Sequence, residues 1–500
     1  IQGFPSHLSV HAGGILISEK PIHYYSATSL PPKGFPTTHF SMEEAEDVGL
    51  YKFDILGQRG LGKIKEAIQI VQYNHPSHPS IDIHDMQRFK NDPKINDMLS
   101  RAEAIGCFYV ESPAMRMLLR KLKVDSYLGL VAASSIIRPG VAKSGMMREY
   151  ILRHRNPERR KEAHPVLYDL MPETYGVMVY QEDVIKVAHY FAGLTLGEAD
   201  VLRRGMSGKY RSRDEFKTVK NKFFENCAEK GYEPSFVADV WRQIESFAGY
   251  AFAKGHSASY AVESYQSLFL RAYYPLEYLV AVINNGGGFY STEFYVHEAR
   301  MLGATIEAPC VNVSHIPTRI VGRTIYLGFA NIQDLEINSS KKILKERAEN
   351  GVFRNLDDFV ERVFISLDQI KILIRINAFR FTKKGKKALF WDAHLLFGFK
   401  HHENQFELFS TKVKKYSLPP LYQHKLEDAF TEMDLLGFPL CSPFELIENP
   451  KTNTMLVKRF GEFIDRRISC IGYLVSIKNT QTSGGKRMCF GTFIDRNGHY

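Results

Sequence analysis

Long apolar runs are missing from this chain. No stretch of about 18 consecutive apolar residues occurs, so a membrane-spanning helix is not expected and no membrane stands among its predicted partners. Cysteine is sparse: six residues (107, 227, 310, 441, 470, 489) are scattered without a C-x-x-C pair. That excludes the usual zinc-site spacings and a disulfide framework, and it fits a reducing, cytoplasmic setting. His7 and His11 sit four apart, but no Glu lies between them and no third ligand is near, so they read as polar histidines at a helix end rather than a metal pair. The opening Ile1-Gln2-Gly3-Phe4-Pro5 has neither an initiator Met nor the basic and apolar regions of a secretory signal, and is expected to be a cut end. Fixed-period repeats and low-complexity tracts are also absent, which sets aside solenoid architectures.

What is present is a globular composition with a basic balance. Five hundred residues are too many for one core, so three or four domains are expected. Hydrophobic residues make up 44% and charged residues 24%, as in ordinary soluble domains. Sixty-five Lys and Arg against 55 Asp and Glu leave +10, and the excess is local. Residues 138–161 and 203–222 each hold eight cations against two acids, and 380–400 hold six against one. Such patches suit a polyanion running over several domains. Solvated helix faces give the same counts, so composition alone leaves both readings open.

Along the chain, Gly13–Ile17 and Gly49–Leu56 are expected strands, and the spacing of Leu61, Ile64, Ile68 and Val71 predicts a helix from Gly60 to Tyr73. A Pro/His/Ser-rich break follows at 74–80. From 84 to 300 the pattern is mainly helical, with loops at Pro139-Gly140, Asn156-Pro157, 205–213 and Asn284–Gly288. A strand-then-helix unit is expected over 316–400 and a connector over 400–465. Ile468–Ile477 and Arg487–Ile494, with Ser483-Gly484-Gly485 between them, predict an antiparallel pair.

Three constellations carry chemistry. In Tyr51-Lys52-Phe53-Asp54-Ile55, strand alternation puts Lys52 and Asp54 on one face and the apolar Tyr51, Phe53 and Ile55 on the other, which belongs in a core. A carboxylate there can ligate Mg²⁺ and the Lys can meet phosphate; a surface ion pair on an edge strand is the plain alternative. Next, Arg203 and Arg204 end a helical run and enter a Gly/Ser loop with Lys209. Guanidinium forks bind phosphate bidentately, although a basic helix C-terminus also serves the helix dipole. Third, Phe247–Ala261 interleaves small residues and aromatics with Tyr250, Lys254 and His256. That mix can stack a base and touch a phosphate, or simply pack tightly.

Longer strings carry a resemblance: GLYKFDILG (49–57), ESPAMRMLL (111–119), IRPGVAKSGMMREYI (137–151), YGVMVYQEDVI (175–185), GEADVLRRGMSGK (197–209), FAGYAFAKGHSASYAVESYQSLFLRAYYPLEYL (247–279) and PCVNVS (309–314). In this order and spacing they resemble the C-family replicative polymerases, the alpha subunits of bacterial DNA polymerase III. The resemblance implies an α/β multidomain fold: end of thumb at 1–12, second part of a nucleotidyltransferase-like palm at 13–59, helical fingers at 60–315, a tandem helix-hairpin-helix and clamp-binding region at 316–440, a linker at 441–465, and the start of an OB-type β-barrel at 466–500. It implies template-directed DNA synthesis with a two-ion Mg²⁺ site. Asp54 would be a catalytic metal ligand with Lys52 beside it. Arg203, Arg204, Lys209, Tyr250, Lys254 and His256 would receive the deoxynucleoside triphosphate, and Arg138, Lys143 and Arg148 would contact DNA. Implied partners are primer-template DNA, deoxynucleoside triphosphates, the sliding clamp and other replicase subunits.

Two departures stand out. The family's Pro-Asp-x-Asp-x-Asp string is not in the sequence, and 327–336 lacks the G-x-G hairpin whose backbone N–H groups usually grip phosphate. Asn377-Ala378-Phe379, where Gly-Ala-Phe is usual, is closer to the family pattern. An error-prone lesion-bypass paralog would share these motifs, and a non-catalytic DNA-binding derivative is the rival of another class. The retained Lys52, Asp54, Arg203 and Arg204 count against the latter.

Overall fold

The computed structural model describes residues 10–498 apart from 12, 33, 139–143, 206–212, 247–252, 401–418, 423, 449–454 and 483–484. The chain divides into two compact units, Ile1–Gly62 and Lys63–Tyr500.

In the first unit, the strand Gly14–Ile17 pairs antiparallel with Tyr51–Asp54, Gly14 opposite Asp54 and Ile17 opposite Tyr51. Both strands are where the sequence puts them, the second shorter than expected. A Ser41–Glu44 capping box starts the intervening helix Met42–Asp47. The face carrying Tyr51, Phe53 and Ile55 is apolar by strand alternation but uncovered: the three are 61%, 52% and 66% exposed. A two-stranded ribbon has no second layer to cover that face among the described residues.

The second unit is mainly helical. Its axis is Lys254–Tyr273, which packs on Tyr127–Ile136, Pro93–Ser100 and Met86–Lys90. Small residues allow the close approach: Ser135 Oγ and Ser257 Oγ are 2.6 Å apart inside that contact. The rings of Tyr265, Tyr278, Tyr295 and Phe294 are fully buried. The turn expected at Asn284–Gly288 closes on the buried Glu111, which accepts from Gly106 N (2.8 Å), Phe289 N (2.7 Å) and Tyr295 Oη (3.0 Å). Only glycine fits at 288, since a Cβ there would stand 1.8 Å from Glu111 Oε1.

Beyond it lies a three-stranded sheet ordered Thr305–Glu307, Thr324–Tyr326, Arg319–Val321, followed by the helices Ile337–Asn350, Leu356–Arg362, Leu367–Arg375 and Lys386–Lys400. Their shared core includes Phe329, Ile343, Phe359, Leu373 and Phe379. Asp334 and Asn377 take φ of 63° and 64°, left-handed positions that short polar side chains tolerate better than other non-glycine residues. The expected connector is partly structured. Glu427–Leu436 is a helix that buries Leu435 in this core and pairs Asp434 with Arg375 (2.8 Å) and Asp428 with Lys386 (2.6 Å). The terminal pair is antiparallel, but its first strand runs Tyr473–Gln481 rather than 468–477. The register decides this, because Gln481 lies opposite Arg487 and the ladder runs back to Tyr473 opposite Ile494.

Within the helical hairpin unit, Arg362 donates to Asp358 (3.0 Å), to Glu346 (3.1 Å) and to the carbonyl of Gly351 (2.8 Å). Burial pushes the Asp358 carboxyl up, but the Arg354 N–H and the Arg354 and Arg362 guanidiniums bring it below its ordinary value; Arg362 does the same for Glu346. Acids lowered in the folded state contribute stability above their unfolded pKa values, about 3.9 and 4.3, and lose it as pH falls through the folded values. Arg362→Gln is therefore expected to lower the urea unfolding midpoint at pH 7 and to lower it less near pH ~3, below the unfolded-state values, where part of that stabilisation has been lost. An equal loss at both pH values would assign the effect to packing alone.

Candidate functional site

In the first unit the site is built on the strand pair. Lys52 Nζ lies 2.9 Å from Asp54 Oδ1, with the Lys mostly covered and the carboxylate half exposed. The register also brings in His11, which the sequence had not connected with Asp54. Its Nδ1 accepts from the N–H groups of Gly13 (3.2 Å) and Gly14 (2.6 Å), and its Nε2 stands 3.9 Å from Asp54 Oδ1. A Cβ on Gly14 would come within 2.8 Å of that Nδ1, so the glycine makes room for the ring. His7 lies outside the described residues. No cluster of three or more His, Cys, Asp or Glu among the described residues could hold a metal ion. Asp54 thus offers a single carboxylate, and a two-ion centre does not assemble from these residues.

In the second unit the cationic residues sit on neighbouring helices. Thr195 and Glu198 exchange cap hydrogen bonds at the start of Leu196–Gly205, and Lys222 and Thr195 hold the Glu198 carboxyl below its usual value. One helical turn before the paired arginines, Asp200 takes both: Arg203 Nε at 2.8 Å and Arg204 Nε at 2.9 Å. Asp200 was missed, although its i, i+3 and i, i+4 spacing to the arginines was legible. Partly exposed ion pairs are worth only about 0–1 kcal/mol, so a phosphate can displace the carboxylate cheaply.

The helix Gln181–Lys186 packs against Leu196–Gly205, and its Glu182 carboxylate accepts from Lys254 N at 3.0 Å, capping the long axial helix. The Lys254 ammonium meets Glu173 and lies 5.2 Å from the Tyr180 ring centroid. His256 is exposed in the first turn of the same helix. Further along it, Tyr260 lies 5.2 Å from the Tyr109 ring, and the guanidinium of Arg138 sits 5.8 Å from Tyr109 on its other contact. Arg138 is thereby placed beside the Lys254 helix, a proximity that tertiary packing created. Arg148 is exposed on Met146–Arg155. Lys143, Lys209 and Tyr250 lie outside the described residues.

The second unit is thus a helical body bearing paired guanidiniums, followed by a unit of short helices and hairpins. Residues 60–231 match the bacterial DNA polymerase III alpha subunit finger domain, 303–389 the helix-hairpin-helix motif, and 1–57 the bacterial DNA polymerase III alpha NTPase domain. The DNA polymerase III subunit alpha of Aquifex aeolicus is 29% identical over the whole chain, which covers 42% of that relative. That of Staphylococcus aureus is 33% identical over 78% of the chain and 36% of the relative; that of Borreliella burgdorferi is 29% identical over the whole chain and 45% of the relative. The chain belongs to the bacterial DNA polymerase III alpha subunit family, and it spans less than half the length of these relatives. No helix among the described residues is long and apolar enough to cross a membrane.

Proposed function

We propose that this chain carries part of the active site of a template-directed DNA polymerase, the catalytic subunit of a bacterial replicase working in the cytoplasm. The observation that carries the reading is the Arg203–Arg204 pair gathered on Asp200 at a helix end, inside the segment that matches the polymerase finger domain. In the reaction the primer 3′ oxygen attacks the α-phosphorus of a deoxynucleoside triphosphate, its proton leaves, and the bond to pyrophosphate breaks. Arg203 and Arg204 receive the triphosphate oxygens, with Lys209, Tyr250, Lys254 and His256 on the nucleotide side and Arg138, Lys143 and Arg148 toward the DNA. Bound Mg²⁺ supplies charge neutralisation at the reacting phosphate; this chain's contribution to holding it is Asp54, oriented by Lys52. Residues 13–59 serve as the second part of a palm, 60–315 as fingers and 316–440 as hairpins beside a sliding-clamp attachment, and 466–500 open an OB-type barrel.

The test uses the 500-residue chain itself. It is expected to bind primer-template DNA with an affinity that falls steeply with salt, because the contacts are to phosphates. It is expected not to extend the primer with Mg²⁺, because one carboxylate does not make the metal centre. Salt-insensitive or absent DNA binding would remove the reading. Robust extension would mean that the metal centre lies elsewhere in the chain.

A further inference from the structure

The first hairpin of the helix-hairpin-helix unit is poorly suited to a phosphate. Gln333 N donates to Leu435 O (2.7 Å) and Glu336 N to Gln369 Oε1 (2.8 Å), while Gln369 Nε2 returns a bond to Asp334 O (3.1 Å). The exposed carboxylates of Asp334 and Glu336 flank this turn and repel an anion. Two of the backbone donors of this turn, Gln333 N and Glu336 N, are thus taken up inside the fold.

Next to the second hairpin the charge is reversed. Three guanidiniums from three elements meet the carbonyls of one loop: Arg380 on Pro309 O (3.2 Å), Arg347 on Val311 O (2.7 Å) and Arg319 on Val313 O (3.4 Å). Val311 N in turn donates to Ala378 O (3.2 Å), which ties the loop to the second hairpin. Arg380 is neutralised by Glu307 (3.0 Å), but Arg319 and Arg347 form no ion pair among the described residues. Both are half-buried. Arg319 Nη1 donates to His315 Nε2 (3.0 Å), which leaves Nδ1 of that exposed ring as the protonated donor. Burial, then Arg319, then Arg347 lower the His315 imidazole below its ordinary value; burial and then Arg319 lower Arg347. Arg319 Nη2 also reaches the hydroxyl of the exposed Tyr73 (2.6 Å). Two partly desolvated guanidiniums that form no ion pair among the described residues make a site whose missing counter-charge is an anion.

We propose that Arg319, Arg347 and His315 form the point at which this unit grips a phosphodiester of the DNA backbone, in place of its first hairpin. The proposal rests on the DNA-binding reading above and adds to it a grip outside the hairpins. It is tested on the full 500-residue chain by fluorescence anisotropy with a duplex oligonucleotide across a salt series. Arg319→Gln with Arg347→Gln is expected to weaken binding roughly tenfold or more and to make the slope of log K against log salt shallower by about one, the signature of one lost phosphate contact. His315→Glu, on an exposed side chain, is expected to act in the same direction without disturbing the fold, which an unchanged unfolding midpoint checks. Wild-type slopes in both folded variants overturn the site while leaving DNA binding in place. A wild-type chain without salt-dependent binding overturns the site together with the reading beneath it. Stabilisation by inorganic pyrophosphate that disappears in the double variant, with the DNA slope retained, would assign the site to a free phosphate ligand and overturn the proposal.

Discussion

Asp54→Asn is expected to abolish nucleotide addition in a polymerase that carries this segment, and to leave affinity for primer-template near that of the unaltered enzyme. The substitution keeps the shape of the side chain and removes its charge. In the structure that charge is half exposed at a strand end, 2.9 Å from the Lys52 ammonium and beside His11. With the side chain neutral, Lys52 loses an anionic neighbour, and in the role proposed for Asp54 one anionic metal ligand is lost where negative charge accumulates during phosphoryl transfer. A rate loss of several orders of magnitude is expected in single-turnover extension. On the proposed reading DNA affinity rests on the cations of the other unit and is expected to be spared. Extension within about tenfold of the unaltered enzyme would refute the assignment of Asp54 as a metal ligand.

Arg203→Ala and Arg204→Ala are expected to raise the apparent KM for deoxynucleoside triphosphate. A charge-assisted hydrogen bond to phosphate is worth roughly 1.5–3 kcal/mol, or about ten- to a hundredfold in affinity. The ion pairs with Asp200 that each arginine gives up are worth little in water, so nearly all of that difference appears in the nucleotide term. Asp200→Asn gives a useful contrast: it leaves both guanidiniums present but no longer gathered, and its effect on KM is expected to be smaller. Steady-state kinetics with anisotropy on the same variants separates nucleotide from DNA. Weakened duplex binding with an unchanged nucleotide KM would place these arginines on the DNA track instead.

The sequence by itself determined the family and the local elements. Strand alternation in Tyr51–Asp54, the helical spacing from Leu61 to Val71 and the turn at Asn284–Gly288 were all legible, because each is set by short-range sterics and side-chain period. The charged clusters at Arg203-Arg204 and Lys52/Asp54 were legible for the same reason, since their members lie within two residues of one another. Only the tertiary structure decided what those clusters touch. His11 reaches Asp54 through the register of two strands more than thirty residues apart in sequence, and Glu182 caps the helix of Lys254 from another element. Tertiary structure also decided that Gln369 and Leu435 close the first hairpin, and that Arg319, Arg347 and His315 share one loop. Burial divided the rest: the same apolar alternation marks Phe53, which is exposed in a two-stranded ribbon, and Ile325, which is buried in a three-stranded sheet. A pattern of side chains along a strand specifies which face is apolar, but whether that face is covered depends on a second layer that local sequence does not encode.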